Sequence, residues 1–255
     1  LLGNWRIKEL LTTASQVAGK EAILAEWIGA GGNAGVVRVK FIDGTEAAMK
    51  IYPNDIQHDR LYSEYVSTKI LRKYKETKIP NGIGFCNRLN VALYSWIEGQ
   101  SVKYANTDHI GKIIEFLGRL HSLCSKTEFQ SFPRASAAVS SGSQLETQFW
   151  KRLALLRERS ESSTELVEFL DVELMPVAQT IIQWFRSQWE QDKYNQAIHL
   201  QDHTLSPSDF GFHNSLQRSD GSLCFVDLEY FGRDDPVKLI ADFLWHPAMS
   251  LNFSY

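Results

Sequence analysis

Near the end of the chain, three residues with hard oxygen donors follow one another at short spacing: Asp209, Asn214 five positions later, and Asp227 closing the apolar run Leu223-Cys224-Phe225-Val226. A turn signal at Ser219-Asp220-Gly221-Ser222 precedes that run, so Asp227 reads as a strand-end acid that follows a hairpin. An acid, an amide and a second acid in this order suit transfer of a phosphoryl group from a metal-bound nucleotide. That chemistry asks for a positioned acceptor hydroxyl, metal ions and neutralised phosphates, with little covalent work by the protein. Asp209 is suited to accept or orient the hydroxyl proton. Asn214 and Asp227 offer an amide and a carboxylate oxygen, the donors magnesium prefers.

The cation that such a site needs comes from the other end of the sequence. Lys50 lies in Ala47-Ala48-Met49-Lys50-Ile51-Tyr52, a predicted strand whose apolar residues would hold the lysine stem. Glu64 falls in the predicted helix that follows, placed to keep Lys50 as an ion pair on the inner phosphates. Upstream, Gly31, Gly32 and Asn33 form the centre of a glycine-rich hairpin whose backbone N–H groups could approach phosphates closely. Each piece alone is common. Together their order and spacing follow the layout of the kinase signature set.

The positioning elements can be read from hydrophobic periodicity. Residues 5–18 show no decisive period and are expected to be an entry segment packed on a first lobe. Strands are predicted over 22–28, 35–42 and 45–52, the second alternating Val37, Val39 and Phe41 against Arg38 and Lys40, with a two-residue hairpin signal at Asp43-Gly44. A helix is predicted over 59–74, and two more strands over 83–86 and 90–97. Residues 1–99 are thus expected to form a nucleotide-binding lobe, an antiparallel sheet with one helix. Residues 100–255 are expected to form a mainly helical catalytic and substrate-binding lobe. In it, Asp108 should cap a helix carrying Ile110, Ile113, Leu117 and Leu120, and residues 125–143 should be a long mobile connection. Helices should follow over 144–159 and 164–190, the latter broken or restarted at Pro176.

With 44% apolar and 22% charged residues the composition is that of a soluble globular protein, and a net charge of -3 gives no reason to expect nucleic-acid or membrane binding. Cys86, Cys124 and Cys224 lack metal-ligand spacing, which favours reduced, buried thiols and a cytoplasmic location. No apolar run approaches the ~20 residues of a membrane span, and the polar start does not read as a secretory signal. The first residue is not Met, so further N-terminal sequence is expected. Other candidates read more simply: His213 is a poor magnesium ligand, His199 and His203 have no third partner, and Asp234 and Asp235 should cap the next helix. Glu229 could touch a metal or substrate. Trp184, Phe185 and Trp189 should be core residues at helical spacing.

Across nearly its whole length the sequence resembles the aminoglycoside phosphotransferase family, which includes choline, homoserine and sugar kinases. The most specific likeness is Phe225-Val226-Asp227-Leu228-Glu229-Tyr230-Phe231-Gly232-Arg233-Asp234-Asp235-Pro236 with Ile240-Ala241-Asp242-Phe243. The resemblance implies an α+β, protein-kinase-like bilobal fold that uses ATP and Mg2+ to phosphorylate a hydroxyl of an aminoglycoside, sugar or amino alcohol. It implies Lys50 on the phosphates with Glu64 as partner, Asp209 as catalytic base, and Asn214 and Asp227 as metal ligands. Adenine would lie against the hinge around Tyr94 to Ile97, where Ser95 and Ile97 bind nucleotide. The family usually carries His two positions before the catalytic Asp, often as His-Gly-Asp, where this chain has Pro207 and Ser208. That departure motivates the competing expectation, a nucleotide-binding pseudokinase or scaffold without turnover. A third possibility, a protein kinase, is weakened by the short interval after Asp227, which shows no evident activation segment.

Overall fold

Alternation decides the first sheet. In the computed structural model, which describes residues 5–30, 34–54, 58–190 and 192–249, Val37, Val39 and Phe41 are all buried and Lys40 is exposed. They belong to a five-stranded antiparallel sheet built from β1 (Ala22–Ala30), β2 (Gly35–Phe41), β3 (Glu46–Ile51), β4 (Gly82–Cys86) and β5 (Val91–Ser95), in the order β1-β2-β3-β5-β4. The hairpin at Asp43-Gly44 forms as its residues dictate: Asp43 Oδ1 accepts from the Thr45 N–H at 3.0 Å and Gly44 takes φ +81. Gly31, Gly32 and Asn33 lie outside the described residues.

The entry segment is a helix, α1 (Ile7–Ala18), and the expectation of an aperiodic stretch is corrected. Its buried stripe of Leu10, Thr13 and Ala14 has helical spacing, but Thr and Ala carry too little hydrophobic contrast to announce it. The Glu9 carboxylate accepts from the Arg6 N–H at 2.9 Å, and Gly19 ends the helix at φ +69. α1 closes one face of the sheet, where Leu10 packs with Val37, Val39, Phe41, Met49 and Leu93. Each such fully buried side chain stabilises the fold by about 1.5–3 kcal/mol. The helix α2 (Arg60–Lys73), capped by Asp59, carries Glu64 and Leu71. Leu71 joins the core of the second lobe, so α2 packs into both lobes.

A two-residue strand β6 (Gln100–Ser101) leads into that lobe and its central helix α3 (Thr107–Leu123). The cap is Asn106, whose Oδ1 accepts from the His109 N–H at 2.9 Å, whereas Asp108 sits in the first turn beside Lys112. The presumed mobile connection is not loose: it holds the short helix α4 (Thr127–Gln130), and it is tied to the segment after Asp227. The Ala135 N–H donates to the Arg233 carbonyl at 3.0 Å, the Arg233 N–H to the Pro133 carbonyl at 3.0 Å, and the Val139 N–H to Asp234 Oδ1 at 3.0 Å. Its Ser- and Ala-rich composition signals a loop correctly, but the partners that fix it lie ~100 residues away in sequence, beyond any local pattern.

Helix α5 (Gly142–Arg159) precedes α6 (Thr164–Glu168), which continues through a wider turn over Phe169–Leu174 into α7 (Met175–Ser187). The expected interruption therefore falls just before Pro176, which lacks an N–H to donate. Trp184 and Trp189 are 62% and 40% exposed, so they are surface residues and not core. The lobe ends with β7 (Thr204–Ser206), β8 (Ser215–Gln217), β9 (Leu223–Phe225), β10 (Gly232–Asp234) and α8 (Pro236–Trp245). β6, β8 and β9 form one small sheet, and β7 pairs with β10. Phe116, Phe210, Phe225 and Phe243 stack in the core beneath them. Among the described residues no helix is long and apolar enough to cross a membrane.

Candidate active site

Lys50 is the point where the two lobes meet. β3 turns Met49 and Ile51 toward α1, so Lys50 faces the opposite side and is buried there. Its Nζ donates to Glu64 Oε2 at 2.5 Å and to Asp227 Oδ1 at 2.7 Å, and lies 3.6 Å from Glu229 Oε2. Burial works against the ammonium, but the three carboxylates outweigh it and hold the Lys50 pKa above its ordinary value. Glu64 is fixed from every side: the Tyr52 hydroxyl donates to Oε2 at 2.8 Å, and the Leu228 N–H donates to Oε1 at 3.3 Å. Tyr52 and Tyr94 share a further hydroxyl bond of 2.9 Å.

Asp227 leaves β9 at φ +66, a left-handed conformation that turns its side chain out of the strand toward Lys50. Asp is among the few residues besides Gly that tolerate it. Two residues on, Glu229 is fully buried, with Arg60 Nη1 at 3.1 Å from Oε1 and, among the described residues, no hydrogen bond to Oε2. Burial is the chief reason its carboxyl is pushed up to about 7, while Lys50 and Arg60 pull it the other way. Glu229 is thus enclosed in protein, with a carboxylate oxygen within 4.8 Å of those of Glu64 and Asp227.

Asp209 lies on the loop after β7. Pro207 offers no side-chain donor, and the loop is held by other means: Ser206 Oγ accepts from the Ser208 N–H at 3.0 Å, and Ser208 Oγ donates to the Ser136 carbonyl at 2.8 Å. Ser208 sits at φ +68, a left-handed conformation that Gly adopts without strain and other residues rarely do. His213 Nε2 is 3.0 Å and His246 Nε2 3.3 Å from Asp209 Oδ1. The His213 hydrogen bond foremost, with the His213 and His246 rings close by, keeps the Asp209 carboxyl below its ordinary value. Asn214 donates its Nδ2 to the Asp209 backbone carbonyl at 2.8 Å, and among the described residues nothing bonds its amide oxygen. Pairing of Ser215 with Phe225, and the Val226 N–H on the Asn214 carbonyl at 2.9 Å, put Asn214 beside the strand end that carries Asp227.

The donor set therefore suits magnesium: an uncommitted amide oxygen from Asn214 and a one-third-exposed carboxylate from Asp227. A cavity of about 500 Å³ opens directly on Asp209, lined among others by Ser136, Ser208, Tyr230, Asp242 and Trp245. Of the two hinge residues, Ser95 commits its N–H to the Asn81 carbonyl at 2.8 Å and its Oγ to the Asn81 N–H at 2.9 Å. Among the described residues nothing hydrogen-bonds the Ile97 backbone, which stays available to a ligand. Sequence reasoning missed Tyr52, Arg60 and His246. Arg60 and Tyr52 sit close to Glu64 and Lys50 on predicted elements, whereas no spacing rule links His246 to Asp209. Asp235 caps α8 as expected, but Asp234 is buried against Val139 and Lys238 and caps nothing there.

A sheet-and-helix lobe joined through Lys50, Glu64 and Asp227 to a helical lobe that carries Asp209 and Asn214 is the bilobal protein-kinase-like fold. Solved structures share it. The streptomycin-ATP-APH(2")-IIa ternary complex aligns over 89% of this chain and 72% of its own, at 17% identity and a TM-score of 0.57. A spectinomycin phosphotransferase bound to ADP and spectinomycin aligns over 91% and 71%, at 12% identity and 0.59. The Plasmodium vivax ethanolamine kinase aligns over 86% of this chain and 60% of its own, at 17% identity and 0.55. At these identities the likeness is one of fold. No protein-family model and no curated protein matches the sequence.

Proposed function

We propose that this chain is a small-molecule kinase that moves the γ-phosphoryl group of ATP to a hydroxyl of a small acceptor such as an aminoglycoside, sugar or amino alcohol. The observation that carries the reading is the Lys50–Glu64–Asp227 ion cluster. It gathers residues up to 177 positions apart at 2.5 and 2.7 Å, and it faces a second lobe that presents Asp209 and Asn214. Lys50 is held charged, so it can pair with the inner phosphates of a nucleotide, with Glu64 keeping its stem in place. Asp227 and Asn214 would hold magnesium, which supplies neutralisation of phosphate charge when bound. Asp209, kept ionised, can accept the proton of an acceptor hydroxyl lodged in the adjoining cavity. Fold-sharing proteins named for streptomycin with ATP, for spectinomycin with ADP and for ethanolamine support the class of reaction.

The test is a screen of aminoglycosides, choline, other amino alcohols and sugars for ADP release, with the Asp209→Ala variant in parallel. The expected result is turnover with at least one acceptor by the wild type and none by the variant, while ATP with magnesium raises the melting temperature of both. Turnover retained in Asp209→Ala would remove the base assignment. ATP binding with no acceptor anywhere in the screen would favour the pseudokinase.

A further inference from the structure

The side chain of the proposed base has an unusual pair of partners. Two imidazoles, His213 and His246, bring Nε2 to the same oxygen, Asp209 Oδ1, at 3.0 and 3.3 Å, and neither bonds Oδ2. Their rings stack nearly parallel, 9° apart with centroids at 4.3 Å, so each limits the tilt of the other. His213 comes from the turn after Asp209, and His246 from the C-terminal end of α8, which lines the same cavity. Pro207 and Ser208 contribute no side-chain bond to the carboxylate.

The bonding of the far side of His246 decides what its near side can be. Nδ1 accepts from the Ala248 N–H at 3.2 Å, so the neutral ring carries its proton on Nε2, the atom that faces Asp209. A metal held by the Asp209, His213 and His246 donors would need that proton on Nδ1 instead, where the Ala248 N–H already points. The cluster is therefore a hydrogen-bonded clamp on a carboxylate and not a cation site.

We infer that His246, stacked on His213, is a positioning residue: it donates Nε2–H to Asp209 Oδ1 and so fixes Oδ2, which neither imidazole bonds, as the oxygen that meets the acceptor hydroxyl. This inference rests on the reading of Asp209 as the base. It gives the loop a substitute for the histidine that the resembling family places two residues before the acid, where this chain has Pro207. A carboxylate free to rotate about its last bond presents two equivalent oxygens to the acceptor. One that is clamped through Oδ1 presents a single oriented lone pair, which is the arrangement general-base transfer requires. No covalent step is assigned to His246.

Two measurements separate this inference from the reading it rests on. The first is the tautomer of His246 in the full chain, read at pH 8 from long-range nitrogen–proton NMR spectra. The Nε2–H form is expected, and the Nδ1–H form would overturn the inference whether or not turnover is ever found. The second is kinetics, using intrinsic hydrolysis of magnesium-ATP and the best acceptor from the ADP-release screen. His246→Ala is expected to lower kcat by about 10- to 100-fold with KM for ATP unchanged. His246→Gln, whose Nε2–H can take the same place, should recover most of that loss, with the melting temperatures of both variants equal to wild type. Unchanged kcat in His246→Ala, alongside an inactive Asp209→Ala, would overturn the inference and leave the proposed function intact. A fall in KM-level nucleotide affinity that Gln does not rescue would mark a merely structural role and overturn it as well.

Discussion

Replacing Glu229 by Gln should make the protein more stable at alkaline pH and leave it little changed at acid pH. Glu229 is fully buried, and among the described residues one of its oxygens has no hydrogen bond. Burial, only partly offset by Lys50 and Arg60, carries its carboxyl from the ordinary 4.5 to about 7. In the unfolded chain the proton leaves as pH rises past about 4.5, while the folded protein keeps it until about 7. The contribution of this group to stability is therefore complete below the unfolded value and is lost as pH rises through the folded one. At about 1.36 kcal/mol per tenfold change, the loss between pH 5 and pH 8 comes to about 2–3 kcal/mol. Gln has no proton to lose and avoids it. For a chain of this size, that corresponds to a relative gain in Tm of about 5–10 °C across the interval. The assay is thermal unfolding of ligand-free wild type and Glu229→Gln side by side at pH 5 and pH 8. An offset that is the same at both pH values would refute a buried, protonatable Glu229.

Lys50→Met leaves the buried carboxylate of Glu64 without its cation and removes one of the two cations beside Glu229, and breaking such a cluster from one side costs about 3–5 kcal/mol. Chemical denaturation should show that loss, and the thermal shift with magnesium-ATP should vanish. Gly232→Ala should destabilise by about 1–3 kcal/mol or more, because a Cβ there would stand 2.2 Å from the Ala135 backbone nitrogen. Its urea midpoint is the measurement, and a midpoint equal to wild type would show that the Ala135 segment yields easily.

Strand alternation put Lys50 on the face away from Met49 and Ile51, the helical stripe put Glu64 on α2 and the hairpin turn put Asp227 at a strand end, and the structure brings these three together. The strands of the first lobe were placed to within a few residues for the same reason. What escaped was set by tertiary contacts. Helix α1 hides its period behind Thr13 and Ala14, and the 125–143 connection takes its order from Tyr230, Arg233 and Asp234. Ser208 at φ +68 shows a conformational demand that the sequence meets without Gly, through the bond from its hydroxyl to Ser136. His246 reaches Asp209 across 37 positions at the end of a different helix, which no local pattern encodes.

Helix α2 grips the segment after β9 at several points: Glu64 takes the Leu228 N–H, Arg60 holds the Glu229 carboxylate, and His58 just ahead of the helix bonds the Glu229 carbonyl at 2.9 Å. Mechanically, then, the strand-end acid is suspended from the small lobe as well as rooted in the large one. Any load on the solvent side of α2, where Tyr62 is 46% exposed, is transmitted to the position of Asp227 through those bonds. The outer surface of one helix is thereby bonded through to the segment that carries the strand-end acid, at a distance from the cleft itself.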